Sequence, residues 1–84
     1  MSRNQVLVVD DEKDIRDLLE YNLVKNNYQV TCVATGEQAL EAARKEVPGI
    51  IILDIMLPGQ DGLEVCKKLR SEQKTAEVPI IMIS

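Results

Sequence analysis

Ile50-Ile51-Ile52-Leu53-Asp54 is a run of aliphatic side chains that ends on an acid. Val6-Leu7-Val8-Val9-Asp10-Asp11 repeats the arrangement near the start of the chain. Four consecutive apolar residues with β-branching leave no polar face, so each run reads as a strand buried on both sides, the kind found inside parallel sheets. Tyr28-Gln29-Val30-Thr31-Cys32-Val33 alternates instead and suits an edge. Pro79 leads a fourth run, Ile80-Ile81-Met82-Ile83-Ser84.

Helical patterns fill the spaces between these runs. Ile15, Leu18, Leu19 and Leu23 recur at helical spacing, with Asp11 placed to cap and Asn26-Asn27 to stop. Thr35-Gly36-Glu37-Gln38 fits a capping box ahead of Ala39, Leu40, Ala43 and Val47, and Pro48-Gly49 breaks that helix. Asp61-Gly62 opens a third helix with Leu63, Val65, Cys66 and Leu69 as its buried stripe, Asp61 serving as its cap. Residues 55–60 read as a loop and 71–78 as a polar linker. The order βαβαβαβ implies an α/β fold with a parallel sheet and right-handed crossovers. With the alternating strand at an edge and the two uniformly apolar strands adjacent, the sheet order is 2-1-3-4.

Composition narrows the function. The chain has 84 residues, 14 acidic and 10 basic, for a net charge of −4, which argues against a nucleic-acid surface. A domain this size buries only about 60% of its unfolded surface. Two Tyr and no Phe or Trp make the core aliphatic. No apolar stretch is long enough to span a bilayer, and the N-terminus lacks a secretory signal. Cys32 and Cys66 are too few for a disulfide scaffold, and a zinc site lacks ligands because there is no His. Reduced thiols in a cytoplasmic protein are the expectation.

Sheet order 2-1-3-4 reverses the winding direction between the first and third strands, and ligands of open α/β sheets bind at such a point, beyond the carboxyl ends of the strands. Asp10, Asp11 and Asp54 fall there. Two carboxylates about 4 Å apart repel by on the order of 4 kcal/mol at an effective dielectric of 20. A proton or a cation must relieve that repulsion, and an all-oxygen ligand set favours a hard divalent ion such as Mg²⁺. The loop after Asp54 offers backbone carbonyls as further ligands. Each acid taken singly could do no more than cap a helix.

Leu7-Val8-Val9-Asp10-Asp11-Glu12, Leu53-Asp54-Ile55-Met56-Leu57-Pro58-Gly59-Gln60-Asp61-Gly62 and Pro79-Ile80-Ile81-Met82-Ile83-Ser84 together resemble the receiver domain of bacterial two-component response regulators. The resemblance runs through residues 1–84. It implies a flavodoxin-like fold with Asp54 as phosphoacceptor, Asp10 and Asp11 as the acid pair that holds Mg²⁺, and Met56 as donor of a backbone carbonyl to the metal. It also implies that Ser84 hydrogen-bonds the phosphoryl group, and that the partner is a sensor histidine kinase carrying phosphohistidine. Receivers continue with a fourth helix, a fifth strand and a fifth helix, so the expectation is a receiver truncated after the fourth strand. The family's Lys of the fifth strand has no counterpart, since no Lys follows Lys74.

The far edge of the expected fourth strand is apolar, which favours a homodimer or a strand-swapped oligomer. The rival to a phosphoacceptor is therefore an inactive receiver fragment that only self-associates. A different Mg²⁺-dependent aspartyl phosphotransferase lacks its acid two residues after the nucleophile, and a nucleotide-binding module lacks its glycine-rich loop.

Overall fold

The structure is a computed structural model that describes residues 2–59 and 61–83. Its elements are β1 (Ser2–Val9), α1 (Lys13–Lys25), β2 (Gln29–Val33), α2 (Gly36–Lys45), β3 (Pro48–Asp54), α3 (Gly62–Ser71) and β4 (Ile80–Ile83). The four strands form one parallel sheet in the order β2-β1-β3-β4, with the alternating β2 at an edge and the two strands that carry the apolar runs in the middle; β1 begins at Ser2, ahead of its apolar run.

Alternate residues of a strand face opposite sides of the sheet. Leu7, Val9, Ile51 and Leu53 face the side carrying α2 and α3, where they close a core with Ala39, Leu40, Ala43, Val65 and Leu69. Val6 and Val8 point the other way and are also buried. Contacts of α1 run to β1 and β2, so it covers the β2-β1 half of that second face.

Local signals at the helix ends explain most boundaries. Asn27 takes the left-handed conformation at φ 71°. The Asn27 amide donates to the Val24 carbonyl and that of Tyr28 to Leu23, which ends α1 in a Schellman motif. The Thr35 hydroxyl accepts from the Gln38 amide at 3.1 Å, and Gln38 Oε1 returns to the Ala34 amide at 2.9 Å. The capping box is thus present, with its return bond one residue earlier than the simplest version.

Four expectations need correction. Asp11 does not cap α1: the N-cap position belongs to Glu12, which makes no side-chain cap bond. Leu63 is exposed rather than part of a buried stripe, because nothing packs over that turn among the described residues. Pro48-Gly49 does not merely break α2; Pro48 starts β3, a position where a missing amide costs little. Residues 71–78 are no loose linker. Thr75 and Val78 are buried within a folded turn, and the Thr75 hydroxyl donates to the Leu69 carbonyl at 2.6 Å. No helix among the described residues is long and apolar enough to cross a membrane.

Candidate functional site

Asp10 follows the last residue of β1, and its amide donates to the Val33 carbonyl at 3.1 Å, extending the ladder to β2 by one bond. Its Oδ1 then accepts from the Glu12 amide at 2.9 Å, and its carbonyl accepts from Arg16 Nη1 at 2.8 Å. Strand end, carboxylate and first turn of α1 are therefore tied together through one buried residue. Asp11, next in sequence, is exposed.

Asp54 closes β3 and is only 8% exposed. Its Oδ1 accepts from the Met56 amide at 2.9 Å. The next amide, of Ile55, donates to the Ile83 carbonyl of β4 at 2.8 Å. The tip of β3 is thus held by its own loop and by β4.

These placements gather Asp10, Asp11 and Asp54 so that one carboxylate oxygen from each lies within 4.8 Å of the others. Ligands on opposite sides of an octahedral Mg²⁺ are about 4 Å apart and adjacent ones about 3 Å, so small side-chain rotations bring this trio onto one ion. All three donors are hard oxygens, and the chemistry of the set fits a divalent cation of that class. A depression of about 470 Å³ beside the acids is lined by Asp11, Ile55, Met56, Leu57, Pro58, Asp61 and Leu63. A larger one, about 770 Å³, lies between β2 and α2, away from the trio, and its lining brings no comparable group of like charges together.

Of the other residues singled out in the sequence, Met56 has its backbone at the site through its bond to Asp54 while the residue as a whole is 76% exposed. Asp61 caps α3 as expected, its Oδ1 accepting from the Glu64 amide at 2.9 Å. Ser84 lies outside the described residues. Burial, followed by the charge of Glu20, pushes the Cys32 thiol up. The hydrogen bond from Lys13 to Asp17 raises the Lys13 ammonium. On the far side, the bond to Arg44 lowers Glu72.

The sequence does not show the part that two residues play. Arg16 sits on α1, six residues from the carbonyl it holds. Its signal, a cation on the helix face turned to the strand end, is indistinguishable from an ordinary surface arginine. Gly62 reads in the sequence as a helix opener at the end of the second family motif, and nothing there shows that its amide donates to the Ile55 carbonyl, as it does at 2.7 Å.

Comparison with known proteins gives a consistent picture. The response regulator receiver domain family matches residues 6–84. The N-terminal domain of a response regulator receiver protein from Methanoculleus marisnigri JR1 superposes with a TM-score of 0.92 at 31% identity, covering 95% of this chain and 65% of that one. The chemotaxis response regulator CheY4 of Vibrio cholerae gives 0.90 at 35% identity, covering 93% of this chain and 65% of that one. The receiver domain of a sensor histidine kinase from Pseudomonas aeruginosa PAO1, described with a magnesium ion coordinated in its active-site cleft, gives 0.91 at 31% identity, with 95% and 66% covered. The chain thus spans slightly less than two thirds of the length of these relatives.

Proposed function

Because the chain belongs to the response regulator receiver family of two-component systems, we propose that Asp54 accepts a phosphoryl group from the phosphohistidine of a sensor histidine kinase. The observation that carries this reading is the gathering of Asp10, Asp11 and Asp54 oxygens within 4.8 Å at the switch point of the sheet. The side chains of those acids and the Met56 carbonyl would hold Mg²⁺, whose charge offsets the repulsion between a carboxylate and an anionic phosphoryl group.

The protein's own share is positioning. The Met56 amide holds one oxygen of Asp54, which fixes the plane of the carboxylate. The other oxygen attacks phosphorus; the new O–P bond forms as the P–N bond to histidine breaks, and the imidazole nitrogen keeps that electron pair. Water later attacks the same phosphorus; its O–P bond forms as the Asp54 O–P bond breaks, which releases inorganic phosphate and returns the carboxylate. Asp10, tied to α1 through Glu12 and Arg16, keeps the second wall of the site rigid. Ser84 is assigned to the phosphoryl oxygens by the family resemblance. A cytoplasmic location follows from a kinase partner of this type.

A self-associating module is the second reading, favoured by the exposed Leu18, Tyr21 and Val24 of α1 and Ile81 of β4. Intact mass after treatment with acetyl phosphate and Mg²⁺ separates the two. The expected result is a gain of one phosphoryl group by the wild type, none by Asp54→Asn, and none by either in chelator. Equal gain by Asp54→Asn removes Asp54 as acceptor, and no gain by a wild type that binds Mg²⁺ favours the second reading.

A further inference from the structure

Gly62 stands where no other residue fits. A Cβ at this position would lie 2.2 Å from the Asp54 carbonyl oxygen, 2.8 Å from the Ile55 Cα and 2.9 Å from the Asp54 carbonyl carbon. All three are backbone atoms, so no side chain can swing aside to make room. The need is for close approach and not for an unusual conformation, since the described residues with positive φ are Asn27 and Gly59. Restoring an ordinary contact requires α3 and the tip of β3 to part by roughly 1 Å.

That contact is wired to the carboxylate through one peptide unit. The Gly62 amide donates to the Ile55 carbonyl at 2.7 Å. The amide of Met56, which belongs to the same planar unit as that carbonyl, donates to Asp54 Oδ1 at 2.9 Å. One rigid plane therefore has α3 pulling on its oxygen and the Asp54 carboxylate held by its N–H. The Ile55 amide is meanwhile pinned to Ile83 of β4, so the plane cannot follow α3 by sliding bodily; it must tilt.

We propose that Gly62 is a positioning residue for Asp54: its bare Cα seats α3 on the strand tip, and the Ile55–Met56 peptide transmits that seating to the aim of the carboxylate at Asp10 and Asp11. This deepens the phosphoacceptor reading and rests on it. A side chain at position 62 tilts the peptide, swings the Met56 N–H off the carboxylate and spreads the acid trio. Loss of an outer partner that orients a ligand typically costs about 10–100-fold in metal affinity, and a 1 Å misplacement of a reacting group about 100-fold in rate.

The test compares Gly62→Ala with Leu40→Ala, a core truncation in α2 remote from the strand tip, in the 84-residue chain. Three quantities are read: the Met56 amide resonance without metal, the Mg²⁺ dissociation constant by NMR titration, and the rate of phosphoryl uptake from acetyl phosphate. For Gly62→Ala the Met56 amide proton moves upfield from its carboxylate-bonded position, Mg²⁺ binds at least tenfold more weakly, and uptake slows at least as much. Leu40→Ala lowers the thermal midpoint yet keeps the Met56 resonance in place and Mg²⁺ affinity within twofold.

Unchanged Met56 resonance and Mg²⁺ affinity in Gly62→Ala overturn the inference, as does equal weakening in Leu40→Ala. Should Gly62→Ala not fold, Asp61→Ala keeps the glycine but removes the cap that holds the first turn of α3. A several-fold loss of Mg²⁺ affinity with a shifted Met56 amide is then expected, and no change in either overturns the inference. A wild-type chain that binds no Mg²⁺ fails the phosphoacceptor reading instead; the metal-free Met56 resonance still decides whether Gly62 positions Asp54.

Discussion

Asp10 and Asp11 are adjacent in sequence and opposite in circumstance. Asp10 is buried and spends one oxygen on the Glu12 amide, whereas Asp11 is exposed and, among the described residues, caps nothing. Their substitution should therefore separate folding from metal binding. Asp10→Ala leaves a main-chain donor unpaired and costs about 1 kcal/mol of unfolding free energy with or without Mg²⁺. Asp11→Asn removes one of three mutually repelling charges, so without metal its stability stays within about 0.5 kcal/mol of wild type, while Mg²⁺ affinity falls at least tenfold. Urea unfolding in chelator and Mg²⁺ titration measure both effects. If Asp11→Asn unfolds more readily in chelator than Asp10→Ala, the division of roles is wrong. The sequence showed that acids follow the strand, but not which one turns back to the backbone. An aspartate two residues before Lys13 and one three residues before it both suit a helix start, and only the position at which β1 leaves the sheet decides between them.

The turn between α3 and β4 shows what periodicity cannot reach. Apolar runs and helical stripes announced β1, β3 and α2, because burial on two faces or one leaves a composition that survives in one dimension. Thr75 left no such trace: a lone hydroxyl in a polar stretch becomes fully buried because it donates to the Leu69 carbonyl and the Arg70 guanidinium bonds the carbonyls of Ala76 and Val78. Thr75→Val keeps the shape and removes the donor, which should cost about 1 kcal/mol, read as a lower urea midpoint with an unchanged slope. The same turn carries a pH dependence. The Arg44 guanidinium hydrogen-bonded to Glu72 holds that carboxyl below the usual carboxylate range. A lowered folded value means that the bond supports the turn at neutral pH and that this support is lost as pH falls through the folded value. Protection factors of the Thr75 and Val78 amides should drop on acidification in the wild type. In Glu72→Gln they should start lower and vary less with pH. The pair is solvent-exposed, so added salt should blunt the difference.

At the scale of the molecule the two faces of the sheet are unequal. The face under α2 and α3 holds the aliphatic core, whereas α1 on the other face has no buried residue at all. Its stripe was legible in the sequence as a periodicity, but periodicity names the face that could be covered and says nothing of what covers it. Leu18, Tyr21 and Val24 stay exposed on α1, and Ile81 is 49% exposed on β4. Burying three or four such side chains gains about 1.5–3 kcal/mol each, against an association cost of about 4–15 kcal/mol. The two ranges largely cancel, so the association is weak, with a dissociation constant of about 1 mM or weaker. The net charge of −4 on each copy opposes association and makes it salt-dependent in the favourable direction. Light scattering should therefore give a mass that rises above 9.4 kDa with concentration, more steeply in added salt. Ile81→Lys, which puts a charge on the apolar edge, should return the mass to the monomer value, and Asp54→Asn should not, because the acid trio lies at the strand tips and not on this face. A chain that stays monomeric at millimolar concentration in high salt, or one dispersed by Asp54→Asn and not by Ile81→Lys, would place the association elsewhere or nowhere.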